Sequence, residues 1–272
     1  NNSFRSDILK ISNNGFLNNI QSMVEYNGFI YVIVGKTFLV NIYNDILPEP
    51  NYPIAIKGVD KSHSDDNWRY RLEGSFDWQK VYGREDETTL IMFNKIIKHK
   101  SEANSEALYA VGISSVRGLI LKSVDGVNWT RVEGNIDSKT QLNIISYNNK
   151  VYVSVKSSSV YKERTVIYES EDPEFHPFKI VVDSSKSDFN QEKNPLGGIT
   201  EWIVFNKHLY VVTTGKEGIE LWRNHSENPE ELYKVGNDLW KLVGDKGFGD
   251  AMNIDTRAMY VFGDYLYTAL NK

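Results

Sequence analysis

Five times along this chain an alternating run ends in an aromatic residue, crosses a short polar turn and resumes as a second run carrying tyrosine. The copies lie at Ser22–Val34, Thr89–Gly112, Asn143–Val155, Glu201–Val212 and Ala258–Leu270, and Tyr26, Phe93, Tyr147, Phe205 and Phe262 close their first runs. Asn27-Gly28, Asn206-Lys207 and Gly263-Asp264 are turn residues that accept positive φ, so each copy reads as a tight β-hairpin. In the second copy the hairpin is interrupted, with a polar insertion expected from Lys98 to Glu106. Apolar residues recur at period two and almost nowhere at helical spacing, which excludes a helical repeat.

A second pair of runs follows each hairpin. Leu119–Val132 is the clearest version, a strand, a turn and a strand opening on Trp129. Looser versions follow at Trp68–Val81, Val166–Val181 and Ile219–Val243. Four short strands per unit of about fifty-five residues make one blade of a propeller. The expected fold is therefore all-β, a single β-propeller domain over 1–272 with five four-stranded blades. Blade bounds fall near 20–83, 86–134, 140–184 and 198–245. The fifth, 254–272, would be closed by residues 1–13, where Phe4–Ile11 resembles the last part of a unit, leaving no free sheet edge.

Composition narrows the function classes. A net charge of −5 with positive and negative residues well mixed argues against a nucleic-acid partner and against a polybasic membrane patch. No apolar run approaches the roughly 20 residues of a membrane span. The chain has no cysteine, which removes disulfides, thiol catalysis and cysteine-ligated metals. The five histidines (His63, His99, His176, His208, His225) have no metal-ligand spacing, Asp60 with Asp65-Asp66 reads as a solvated loop, and no cofactor is expected. The opening Asn1-Asn2-Ser3 is the start expected of a processed product or of a piece cut from a longer chain, and an extracellular or cell-surface location is the expectation. Asn128-Trp129-Thr130 and Asn224-His225-Ser226 match the glycosylation pattern, which chance explains in a chain this rich in asparagine.

The segment Ser123-Val-Asp125-Gly126-Val-Asn-Trp129 resembles an Asp-box, the turn between the third and fourth strands of sialidase-like propellers, one residue short. The resemblance implies a fold, with Asp125 capping the turn and Trp129 packing between blades. It carries little about activity, because the arginine triad and Tyr–Glu pair of a sialidase are not in place.

Ligands of a propeller sit at one mouth of its channel, reached by loops entering each innermost strand. Counting back four residues from the strand-end aromatics gives Ser22, Thr89, Asn143, Glu201 and Ala258. One step earlier lie Gln21, Thr88, Leu142, Thr200 and Arg257. The ligand-binding candidates are Trp202, Arg257, Asn143, Gln21 and Thr88, with Trp202 expected to be accessible as a stacking face for sugar. The leading expectation is a non-enzymatic binding module for a glycan or protein ligand. The alternative is a glycoside hydrolase whose carboxylates come from Glu201, Asp255 and Glu87, with Arg257 orienting a charged substrate group.

Overall fold

The computed structural model describes residues 19–27, 29–35, 54–58, 79–82, 91–101, 106–114, 118–132, 136, 142–155, 166–185, 195, 198–214, 217–224, 240–244 and 246–271. The chain divides into two compact units, Asn1–Lys100 with Asn104–Val132, and Ser101–Ala103 with Glu133–Lys272. Among the described residues every extended element is a strand of an antiparallel meander, and the one helical element is a 3-10 turn at Lys246–Gly249. No helix among them is long and apolar enough to cross a membrane.

The first unit holds two four-stranded sheets. One is β1 (Asn19–Tyr26), β2 (Phe29–Gly35), β3 (Ile54–Gly58) and β4 (Gln79–Tyr82), in that spatial order. The other is β5 (Ile91–His99), β6 (Ala107–Ser114), β7 (Gly118–Ser123) and β8 (Thr130–Arg131). Period-two alternation puts apolar side chains on the face each sheet turns to the other, and they pack into one core. Tyr26, Tyr31 and Ile33 pack with Phe93, Ile96, Leu108, Ala110, Leu119 and Leu121, and Val24 and Trp129 close the rim.

The expected insertion at Lys98–Glu106 is shorter than the sequence suggests. Asn94 does not turn the chain; it is a β-bulge, and β5 runs on with Ile96 opposite Ala110 and His99 opposite Ala107. The cause is Ile96. Its side chain is buried in the shared core, and its N–H donates to Ser22 Oγ of β1 at 3.1 Å.

The second unit repeats the pattern with β9 (Leu142–Tyr147), β10 (Lys150–Val155), β11 (Val166–Ser170) and β12 (Lys179–Asp183). Its next sheet is β13 (Ile199–Phe205), β14 (His208–Thr213), β15 (Glu220–Asn224) and β16 (Trp240–Gly244). Ile145, Tyr147, Tyr152, Ile167 and Val182 of the former meet Trp202, Leu209, Val211, Trp222 and Trp240 of the latter. The turns are built as their residues require: Asn148 and Asn149, then Asn206 and Lys207, all take positive φ.

A tyrosine at the end of the first innermost strand ties neighbouring sheets in each unit. Tyr26 Oη lies 2.7 Å from the Glu106 carbonyl and 2.8 Å from that of Val124. At the equivalent position Tyr147 Oη donates to the Lys207 carbonyl at 3.0 Å and accepts from Asn224 Nδ2 at 3.2 Å.

The expected count of five blades is corrected to four. Among the described residues the fifth copy is a two-stranded hairpin, β17 (Asp255–Phe262) with β18 (Tyr265–Asn271). The signature that was counted marks a hairpin, and four of its five copies are extended by third and fourth strands. Register places Tyr260 opposite Tyr267 and Phe262 opposite Tyr265, so four aromatic rings share one face. Tyr26 and Tyr147, which hold the place of Phe262, and Tyr31 and Tyr152, which hold that of Tyr267, are buried under a following sheet, whereas Phe262 is 73% and Tyr267 41% exposed. The expected completion by residues 1–13 falls outside the described residues.

Candidate functional site

The innermost strands β9, β13 and β17 of the second unit are each the edge of their sheet. An edge strand has a ladder partner on one side only, so part of its backbone needs other acceptors. Side chains supply them in a recurring way. Asn143 Oδ1 accepts from the Ile144 N–H at 2.9 Å, Glu201 Oε1 from the Trp202 N–H at 2.9 Å, and Asp255 Oδ1 from the Thr256 N–H at 2.8 Å. Each is a polar residue near the start of an innermost strand accepting from the amide that follows it.

A second regularity lies in the backbone. Register slips by one residue at Gln21 in β1, at Thr200 in β13 and at Arg257 in β17. These three occupy the same position in their repeats, the one singled out one step before the strand-facing set. Bulges bend a strand and re-aim its side chains, and they concentrate beside functional sites. The bulge carbonyl of Thr200 accepts from Asn143 Nδ2 at 3.1 Å, which links β9 to β13.

The candidates divide as follows. Glu201 and Asp255 are both half-buried, at the starts of β13 and β17, which lie side by side. Asn143 is buried, with both ends of its amide engaged by backbone. Gln21 and Arg257 are placed as bulge residues of the backbone. Glu87 and Thr88 lie outside the described residues.

Trp202 is a correction. It is 2% exposed and belongs to the core between the third and fourth sheets, packed with Leu209 and Val211. Period two explains this directly: next to Glu201 in the strand, it points to the opposite face.

The Ser123–Trp129 turn sits between β7 and β8. Asp125 Oδ1 accepts from the N–H groups of Val127 (2.8 Å) and Asn128 (2.7 Å) and from Ser123 Oγ, and Oδ2 accepts from Asn128 Nδ2. Those donors, the Asn128 amide first, hold the carboxyl well below the usual carboxylate range. Ser123 Oγ accepts from the Gly126 N–H at 2.8 Å. Trp129 is half-buried against the core.

The equivalent turn of the third sheet is also organised by an aspartate. Buried Asp172 accepts from the Glu174 N–H on Oδ1 and from Ser101 Oγ on Oδ2. No sequence signal announced the Thr200 bulge or the Ser101–Asp172 bond. Among the described residues no group of three side chains could hold a metal ion.

No protein-family model matches the chain, and no curated protein matches it. Solved structures do. The chain is similar to an exo-β-1,3-galactanase of Clostridium thermocellum, at 10% identity and TM-score 0.50 over 90% of this chain and 51% of that one. It is similar to a GH32 β-fructofuranosidase of Bombyx mori, at 12% identity and TM-score 0.47 over 98% and 61% of the two chains. A family 117 glycoside hydrolase of Zobellia galactanivorans aligns at 13% identity and TM-score 0.44 over 82% and 67%. The chain spans between about half and two thirds of the length of these structures. The fold that it shares with the galactanase is the all-β propeller.

Proposed function

We propose that the chain carries a glycoside hydrolase site at the start of β13 and β17, with Glu201 and Asp255 as its carboxylate pair. The observation that carries this reading is their placement at the entries of adjacent innermost strands, each with one oxygen tied to the following amide. Glycosidic cleavage needs this set: one carboxyl protonates the departing oxygen, and the other acts as nucleophile or as base toward water. The shared propeller fold supports it, since the galactanase of like fold is a glycan-cleaving enzyme.

The non-enzymatic binding module expected from sequence is set aside on two findings. The galactanase of like fold is an enzyme, and Trp202, the stacking face on which that expectation leaned, is buried. The substrate class is a glycan, with β-1,3-linked galactan the first member of a panel because the galactanase acts on it.

The test is product release from a panel of β-galactans, fructans and marine polysaccharides, read by chromatography. Release from one panel member, with the anomeric form of the first product reporting a retaining or inverting spacing, is the expected result. A folded chain that cleaves no member overturns the proposal.

A further inference from the structure

The strand that carries Glu201 is also gripped from the neighbouring sheet. The peptide before it belongs to Thr200, the bulge residue, whose carbonyl accepts from Asn143 Nδ2 at 3.1 Å. The peptide after it donates the Trp202 N–H to the Glu201 carboxylate at 2.9 Å, and the indole of Trp202 is locked in the core. Asn143 itself is 6% exposed, and its Oδ1 accepts from the Ile144 N–H, which fixes the amide so that Nδ2 faces β13. Thr200 Oγ1, 3.4 Å from the Val212 carbonyl, holds the other side of the bulge.

A bulge lets the local peptide plane swing, because the extra residue is not held by the ladder. A buried donor aimed at its carbonyl removes that freedom. We propose that Asn143 is the positioning residue for Glu201: by holding the Thr200 carbonyl it sets the direction in which the Glu201 carboxylate leaves the strand. The chemical use of that direction rests on the hydrolase reading above; the geometric claim does not.

The Trp202 amide reports the geometry. In a pH titration followed by ¹H–¹⁵N correlation spectra, its proton should move upfield as Glu201 protonates and its acceptor weakens. Glu201→Gln should abolish that step. Asn143→Asp keeps the size but replaces the donor with an acceptor, and Asn143→Ala removes the group. Either should cut the amplitude of the Trp202 step to less than half, with the far-UV spectrum unchanged. An amplitude equal to wild type in a folded variant overturns the proposal.

Should neither variant fold, the wild type still decides. The side-chain NH₂ of Asn143 must exchange with solvent at least tenfold more slowly than that of exposed Asn206, and equal rates overturn the proposal. If the panel yields a substrate, Asn143→Asp should lower kcat about 10- to 100-fold with KM little changed, as a misplaced catalytic group does. If wild type cleaves nothing, the hydrolase reading falls while the spectra still decide the role of Asn143.

Discussion

Gly126 is where the repeat leaves least room, and replacing it tests how the two sheets of the first unit fit. Its φ is +78°, and a Cβ built there would lie 1.7 Å from Tyr31 Oη and 2.4 Å from Tyr31 Cζ. Tyr31 cannot easily retreat. It is fully buried in the shared core, and that burial pushes its phenol up to about 12. Two costs therefore add in Gly126→Ala: about 1 kcal/mol for an L-residue in the left-handed region, and about 1–3 kcal/mol for overpacking.

The expected loss is about 2–4 kcal/mol in urea unfolding followed by fluorescence. Gly126→Asn separates the terms, because asparagine tolerates positive φ but brings the same Cβ. If the clash dominates, Asn should be nearly as costly as Ala. A Gly126→Asn protein within about 0.5 kcal/mol of wild type would refute the close approach of Tyr31 to this turn.

Three further substitutions probe the turns and the tyrosine ties of both units. Asp125 is held ionised by its turn, so its folded pKa lies below the unfolded value near 3.9; the stability it adds is present above that value and lost as pH falls through the lower folded one. Urea midpoints of wild type should drop from about pH 4 downward, and Asp125→Asn should flatten that fall; parallel curves would contradict the assignment. Tyr147→Phe should cost about 1–3 kcal/mol, since it strands the buried Asn224 amide as well as the Lys207 carbonyl, and Tyr26→Phe should cost about 1 kcal/mol; no loss for either would count against the tyrosine ties.

The hairpins were legible because their turns need residues with unusual backbone freedom. Asn27, Asn148, Asn149, Asn206 and Gly263 stand in the sequence and take positive φ in the structure. Strand alternation likewise gave the buried partners: Tyr31 and Tyr152, identical in their repeats, fill the same place between sheets. The fate of Trp202 was also legible, had period two been applied to the candidates as strictly as to the strands. The bulges were not. The slip falls on glutamine at 21, threonine at 200 and arginine at 257, so no residue type at that position encodes it. The run-on of β5 past Asn94 escaped notice for a similar reason. An asparagine after the strand-end aromatic turns the chain at 27, 148 and 206, whereas at 94 the chain stays extended into Ile96, which is buried in the shared core and bonded to distant Ser22.

The proposed chemistry rests on the two carboxylates at the starts of β13 and β17. The most direct measurement is the initial rate of glycan hydrolysis by Glu201→Gln and Asp255→Asn beside wild type, on the best substrate of the panel, with unchanged far-UV spectra. Each substitution should lower kcat by about 10²-fold or more, the order of a lost general acid–base contribution. Rates within about twofold of wild type for both would place the chemistry elsewhere and contradict the site.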